Sequence, residues 1–314
     1  MVHNRYRERA GEDSAFDDLC LALRAAGVSV SEYLTDSRDL RRSSLLAWPP
    51  GMLWSHTHFR GVLRAIATAD ADVVHCHNLF PVLTPSPYYA AARCRVPVVQ
   101  TLHNFRLTCV NGILFRDGAH CRQCVGRAWP WRGIVHRCHP AGIAAGGVAA
   151  AQVGIHRLLG TWQHRVDAFV ALSGMQRDVL LRAGLPASRI TVAPNPLAAD
   201  PGPGVVEREY VMFAGRLCHE KGVEVLLSAW EHHGGDLPPL LIIGDGPLRR
   251  RVEALAQSGA NVTYRGHCSR TQVWAAMQRA LCVVVPSLWS EVAPVVIVEA
   301  MATATACVVT DHGA

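Results

Sequence analysis

Ser287-Leu-Trp-Ser-Glu291-Val-Ala-Pro294-Val-Val-Ile-Val-Glu299-Ala300 is the stretch whose reading decides the fold. The apolar run Leu281-Cys-Val-Val-Val285 ahead of it reads as a buried strand, and the loop that follows carries Glu291. Pro294 then stands where the first helical position is expected, since the N–H that proline lacks is unpaired there in any case. A helix that starts at the C-terminal end of a strand presents unpaired backbone N–H groups and a partial positive charge, which suit phosphate. Glu291 lies just ahead of that helix start, and Glu299 follows inside the helix. Two carboxylates around an anion hole suit a molecule with sugar hydroxyls on both sides of a diphosphate, that is, a nucleotide sugar. The plainer alternative is an ordinary βα unit with two solvated glutamates.

A second segment favours the first of these readings. In Phe213-Ala-Gly215-Arg216-Leu-Cys-His-Glu-Lys221-Gly222 a strand ends at Gly215, and two cations follow before the next helix. Fixed cations beside a helix N-terminus suit a departing nucleoside diphosphate, whose β-phosphate gains charge as the bond to the sugar breaks. Arginine offers a forked contact there and lysine a point charge.

Together these residues resemble the retaining glycosyltransferases of family 4, which have the GT-B fold. The family's Glu-x7-Glu pair is matched by Glu291 and Glu299, and its Gly-Arg-Leu…Lys-Gly segment by Gly215, Arg216, Leu217, Lys221 and Gly222. The resemblance keeps the family's order along nearly the whole chain. It implies an α/β architecture of two Rossmann-like domains, each with a parallel sheet, facing each other across a cleft. The first spans 1–196 with a Cys-rich insertion at about 105–140, 197–206 is a linker, and 207–314 is an incomplete nucleotide-sugar domain.

The chain has 314 residues, half of them hydrophobic, enough to bury a large core in two domains. Its net charge of +6 is mostly arginine spread along the chain. That suits anionic nucleotide sugars and an anionic membrane face, and carries no nucleic-acid-binding signature. No stretch is apolar and long enough to span a bilayer, and the N-terminal residues show no secretory h-region. The expected location is the cytoplasm, with peripheral association at the inner face of the plasma membrane. Eleven cysteines, an odd number scattered over the expected strands and helices, point to reduced thiols.

Taken in order, Val2-His3-Asn4 reads as the end of a strand and Ser14 as the N-cap of a helix over Ala15–Ala26 closed by Gly27. Val28–Leu34 reads as a strand, Thr35–Met52 as an arginine-rich connection and Leu53–Ala69 as a helix. Asp72–Asn78 and Pro97–Asn104 read as strands whose polar residues gather at the C-terminal ends, where open α/β sheets place ligands. His75 and His77 are read as hydrogen-bonded structural histidines rather than metal ligands. Ala141–Arg165 reads as helix, Asp167–Ser173 as strand, and Ser173 as the cap of the helix after it. From Tyr210 to Thr310 five strands alternate with four helices, which predicts right-handed crossovers and a parallel sheet. Gly244-Asp-Gly-Pro247 is a glycine turn after a strand, but Arg249 spoils a dinucleotide fingerprint.

Cys109, Cys121, Cys124 and Cys138 are the most distinctive local feature, a Cys-x2-Cys pair flanked by one cysteine on each side. Two readings stand. One is a tetrahedral structural zinc site that staples a loop poor in apolar periodicity. The other is four reduced thiols in an insertion over the acceptor face.

The resemblance implies roles for particular residues. Arg216 and Lys221 neutralise the diphosphate, and the helix start adds N–H groups in the span Ala293-Pro294-Val295. Glu299 binds the ribose and Glu291 the donor sugar. Gly11, with Ala10 in place of the family's first glycine, closes over the phosphates, and His103 lines the acceptor side. No metal is required for catalysis. The implied reaction moves a sugar from a UDP- or GDP-type donor to a saccharide or lipid-linked acceptor with retention, as in envelope or capsule polysaccharide synthesis. The family also continues beyond both ends of this chain, so the resemblance implies truncation at each. Other classes remain open on the residues alone. A GT-B epimerase would convert the donor with no acceptor, a phosphorylase would need phosphate, and a non-catalytic scaffold with a zinc-binding interaction loop would bind no donor.

Overall fold

Strands buried on both faces read as unbroken apolar runs rather than as alternating ones, and Leu240-Leu-Ile-Ile243 is such a run, buried at every position. Its side chains divide between two clusters. Leu240 and Ile242 pack with Phe213, Leu227 and Val252 on one face, and Leu241 and Ile243 pack with Met212, Met277 and Val283 on the other. A sheet covered by helices on both sides follows. The computed structural model describes residues 1–7, 11–38, 48–204 and 207–313. Ala10, much of the arginine-rich connection, part of the linker and Ala314 lie outside them.

The chain divides into two units, residues 1–116 with 121–198, and residues 117–120 with 199–313. In chain order the first contains β1 (Val2–Arg5), α1 (Gly11–Ala25), β2 (Tyr33–Asp36), α2 (Trp48–Leu53), α3 (His56–Ala69), β3 (Val74–Cys76), α4 (Ser86–Cys94) and β4 (Val98–Leu102). Then come β5 (Phe115–Arg116), α5 (Arg132–Val135), α6 (Ile143–Leu158), α7 (Thr161–Arg165), β7 (Ala168–Ala171), α8 (Gly174–Arg182) and β8 (Ile190–Val192), while β6 (Ala119–His120) lies in residues 117–120, counted with the second unit. Its six-stranded sheet has the order β2-β1-β3-β4-β7-β8, and every pairing is parallel. The order reverses at β1, so the ends of β1, β3 and β4 form a switch point of the kind at which such sheets bind ligands.

The second unit contains β9 (Tyr210–Ala214), α9 (Val223–His233), β10 (Leu240–Ile243), α10 (Arg249–Gln257), β11 (Val262–Tyr264), α11 (Arg270–Met277), β12 (Ala280–Val285), α12 (Val295–Ala302) and β13 (Ala306–Val309). Its sheet has the order β11-β10-β9-β12-β13, again all parallel. Both halves are therefore parallel-sheet α/β domains.

Several boundaries differ from the expectation. Ser14 does not cap α1, which starts at Gly11 and places Glu12 and Asp13 in its first turn, where carboxylates oppose the positive helix end. Residues 28–32 are not strand, because Met1 to Arg5 pair with 33–36 and Val28 stays exposed. The helix expected over Leu53–Ala69 starts instead at His56, because the Ser55 hydroxyl accepts a bond from the His58 N–H and caps α3, and Leu53 ends α2. Gly160, with φ +61°, divides Ala141–Arg165 into α6 and α7. Pro294 occupies the N-cap of α12 with ψ 117°, and Val295 is the first helical residue. Among the described residues no helix is long and apolar enough to cross a membrane.

Candidate active site

The second unit brings its two diagnostic segments together because β9 and β12 are neighbours in the sheet. Parallel pairing puts their C-terminal ends side by side, so the loop carrying Arg216 and Lys221 meets the loop carrying Glu291. Contact between the loops demands a glycine. A Cβ on Gly222 would lie 1.8 Å from the Pro286 carbonyl oxygen, and Gly222 has φ +68°. The Glu220 carbonyl oxygen accepts a bond from the Leu288 N–H at 2.9 Å and ties the loops further.

Glu291 is the centre of this cluster. Its Oε1 accepts from Lys221 Nζ at 2.5 Å, from Ser287 Oγ at 2.6 Å and from Trp289 Nε1 at 3.0 Å. The carboxylate is buried, whereas the Lys221 side chain is one-quarter exposed. Lys221 Nζ also lies 5.4 Å from the centre of the Trp289 ring, so an indole face and a carboxylate together fix the ammonium. Arg216 projects into solvent and pairs with Glu220, four residues on. Both cations expected at a diphosphate thus hold carboxylates.

Glu299 is buried on the first turns of α12, and Arg270 Nε donates to its Oε1 at 2.7 Å. The same guanidinium sits over the Trp274 ring, 4.8 Å from its centre. The first N–H groups of α12 have no acceptor within the helix. Val295 contributes one of them, whereas Pro294 has no N–H and contributes only shape. Gly215 ends β9 beside the Gly244 turn, where a Cβ on Gly244 would fall 1.9 Å from the Gly215 carbonyl oxygen. The Leu217 N–H donates to the Asp245 carbonyl oxygen at 2.9 Å. This keeps the backbone around Gly215 and Arg216 close to the glycine turn.

In the first unit, the ends of β3 and β4 carry a row of imidazoles. His77 Nδ1 lies 2.8 Å from His103 Nε2, the two rings stacking with centres 5.1 Å apart. His75 meets Thr101 Oγ1 at 2.7 Å, which makes it the hydrogen-bonded structural histidine expected. Burial, above all, holds His75 and His103 down at about 4, and for His103 the Glu12 carboxylate pulls the other way. His77 is pushed well below the ordinary range, first by burial and then by its imidazole neighbours. All three rings are therefore neutral near pH 7.

Gly11 begins α1, and its neighbour Glu12 connects that helix start to the β4 loop. Glu12 Oε1 accepts from Asn104 Nδ2 at 2.9 Å and Oε2 from the Tyr6 hydroxyl at 2.8 Å. Behind these residues lies a cavity lined by Glu12, His77, His103, Arg106 and Trp162 among others. His77 Nε2, Arg106 Nε and Trp162 Nε1 are buried there without a hydrogen-bond partner. The arginine and tryptophan atoms are donors only, so a molecule bearing acceptor oxygens suits the cavity.

Sequence reasoning singled out Gly215, Arg216, Lys221, Glu291, Glu299 and His103 as candidates. It missed Ser287 and Trp289, although both lie in the stretch read most closely, four and two residues before Glu291. It also missed Arg270, Glu12 and Asn104, whose partners are distant in sequence. Among the described residues no group of three or more His, Cys, Asp or Glu side chains stands ready to hold a metal ion.

Residues 14–200 match the family model described as Glycosyltransferase Family 4, and residues 202–314 match the one described as Glycosyl transferases group 1. The chain is 25% identical over 272 residues to a putative teichuronic acid biosynthesis glycosyltransferase of Bacillus subtilis, TuaC, covering 84% of this chain and 61% of that protein. It is 30% identical over 194 residues to an alpha-maltose-1-phosphate synthase of Mycolicibacterium smegmatis, covering 52% of this chain and 50% of that one. The chain thus spans between half and two-thirds of the length of the curated relatives it matches. Among solved structures, Anabaena HepE in complex with UDP-glucose superimposes with a TM-score of 0.57 at 14% identity, over 100% of this chain and 81% of that one. That likeness gives the fold as GT-B.

Proposed function

The chain belongs to Glycosyltransferase Family 4, continued by a Glycosyl transferases group 1 region, and we propose on that premise that it moves a sugar from a nucleoside-diphosphate sugar to a saccharide or lipid-linked acceptor with retention of configuration. The observation that carries this reading is the Lys221–Glu291 pair at the ends of the adjacent strands β9 and β12, beside the start of α12.

A diphosphate bound at that helix start draws Lys221 and Arg216 from their carboxylate partners. Lys221 and Arg216 then meet the β-phosphate oxygens as the bond from C1 of the sugar to the diphosphate breaks. Released from Lys221, Glu291 still accepts from Ser287 and Trp289, and its carboxylate takes bonds from the donor sugar's hydroxyls. Glu299, oriented by Arg270, receives the ribose hydroxyls, and Gly11 at the start of α1 closes on the phosphates. The acceptor hydroxyl attacks C1 from the face the diphosphate leaves, and its proton passes to the departing phosphate oxygen. Retention follows without a covalent sugar–enzyme intermediate.

The acceptor is assigned to the first unit. His103 and His77, both neutral, can give and accept hydrogen bonds to sugar hydroxyls, and the donors Arg106 Nε and Trp162 Nε1 suit ring and hydroxyl oxygens. The teichuronic acid assignment of TuaC and the UDP-glucose bound to HepE support a UDP-type donor and a cell-envelope polysaccharide.

Incubating the chain with UDP-, GDP- and ADP-sugars and a panel of saccharide and lipid-linked acceptors, with product anomers read by NMR, tests the reading. Acceptor-dependent release of the nucleoside diphosphate with a retained anomer is expected. Conversion of the donor without an acceptor would make the chain an epimerase instead.

A further inference from the structure

Residues 105–142, between β4 and α6, contain only two strands of two residues and one helix of four. Phe105, Val110, Leu114 and Phe115 are buried, but outside the two short strands and the one-turn helix the segment's backbone is irregular. Val110 packs with Ala149 and Ala150, with Phe80 and Ile134 alongside, while Trp131 and Val135 remain about half and two-thirds exposed. Ordering a segment of this length with so little regular structure costs backbone entropy, and a cross-link would offset part of that cost.

Cys109 follows β4, Cys121 and Cys124 follow β6, and Cys138 follows α5, so three separate places along the segment supply the four thiols. The structure brings all four to one cavity, and none is in a disulfide. Among the described residues that line this cavity there is no carboxylate and no imidazole, so its soft donors are the four thiols, beside the Asn111 and Gln123 amides. Cys109 Sγ donates to Asn111 Oδ1 at 2.8 Å. Arg116 and Arg132 line it as well.

We propose that this cavity is a structural zinc site in which Cys109, Cys121, Cys124 and Cys138 bind one Zn²⁺ as thiolates. Sulfur-only sets select zinc over hard cations, and a four-sulfur tetrahedron leaves no open position for catalysis. Each thiol releases its proton to solvent on binding, which leaves a tetrathiolate–zinc group with a charge of about −2. Arg116 and Arg132 supply the positive charge that offsets it. The four thiols line one cavity but are not placed as a ready-made metal group, so binding requires them to close on a common centre. The role is that of a staple. It orders the segment that follows the β4 loop and so supports His103 and Asn104 at that strand's end, without entering the reaction.

The test is metal analysis of the full chain, purified without chelators. About one zinc per chain is expected, with Cys121→Ser and Cys138→Ser each losing at least nine-tenths of it. Replacement by Co²⁺ should give the intense visible bands of a tetrahedral thiolate site, and this wild-type readout decides the matter if the serine variants do not fold. Chelation should speed proteolysis around Trp131. Three results would overturn the proposal: no zinc with every thiol reactive toward a thiol reagent, a non-reducing mass about four hydrogens light that marks two disulfides, or zinc retained by both variants. A nucleotide titration run in parallel separates this proposal from the glycosyltransferase reading, since zinc content does not depend on donor binding.

Discussion

Three donors converge on one oxygen of Glu291, and the chemistry of the second unit is concentrated there. Removing Lys221 deletes a phosphate contact and also leaves a buried carboxylate without its cation. Lys221→Ala is expected to lower kcat by about 10²–10³-fold, the range for loss of one charge-stabilising group, with a small fall in thermal midpoint. Steady-state kinetics beside thermal denaturation checks both effects, and wild-type turnover in the variant would remove Lys221 from the mechanism. Arg270→Ala leaves Glu299 buried without its ion pair. It should raise KM for the donor about tenfold and change kcat little, since Arg270 acts through the ribose-binding carboxylate. Lys221 and Glu291 were legible in the sequence because each sits at a strand end beside a helix start, where local rules already point to phosphate. Ser287 and Trp289 were not, because a serine and a tryptophan in a loop carry no spacing rule until the carboxylate they serve is placed. Arg270 was invisible for a different reason. It reaches Glu299 across 29 residues of chain, and no local pattern encodes that pairing.

The strand-end loops are set by backbone fit. Gly222 lets the β9 and β12 loops touch, and any Cβ there meets the Pro286 carbonyl while φ stays at +68°. Gly222→Ala is expected to destabilise the second unit by about 1–3 kcal/mol, read from the urea midpoint. Gly235→Ala, where a Cβ meets nothing within 4 Å and no positive φ is required, is the matched control and should shift it far less. Equal effects at the two positions would show that loop contact is not what Gly222 provides. The strands of the second unit were read to within about two residues because their apolar runs stop at glycine or proline. The helices of the first unit were not, because their ends depend on a Ser55 cap, a left-handed Gly160 and the pairing of 33–36 with β1. A long apolar periodicity does not reveal such interruptions.

At the scale of the whole chain, both sheets are parallel and covered, which the alternation of strands and helices had implied, and the excess of positive charge suits anionic donors. The first unit buries neutral imidazoles, and that couples stability to pH. His75 and His103 titrate at about 4 in the folded chain, against an ordinary value of 6.5. Between those values the unfolded chain binds more protons, so stability is expected to fall as pH drops from about 6.5 toward 4 and to level off below that. Urea midpoints at several pH values test this. His75→Gln should flatten part of the slope, and a midpoint independent of pH across that window would mean that the rings are not held neutral.

The central claim is that the ends of β9 and β12, with the start of α12, form a nucleotide-sugar diphosphate site. Isothermal titration of the full chain with UDP, GDP and ADP, wild type beside Arg216→Ala and Lys221→Ala, tests it most directly. Binding of one nucleoside diphosphate by the wild type, weakened about tenfold or more in each variant, is the expected result. Affinity that is unchanged in both variants, or no binding of any nucleotide by a folded wild-type chain, would contradict it.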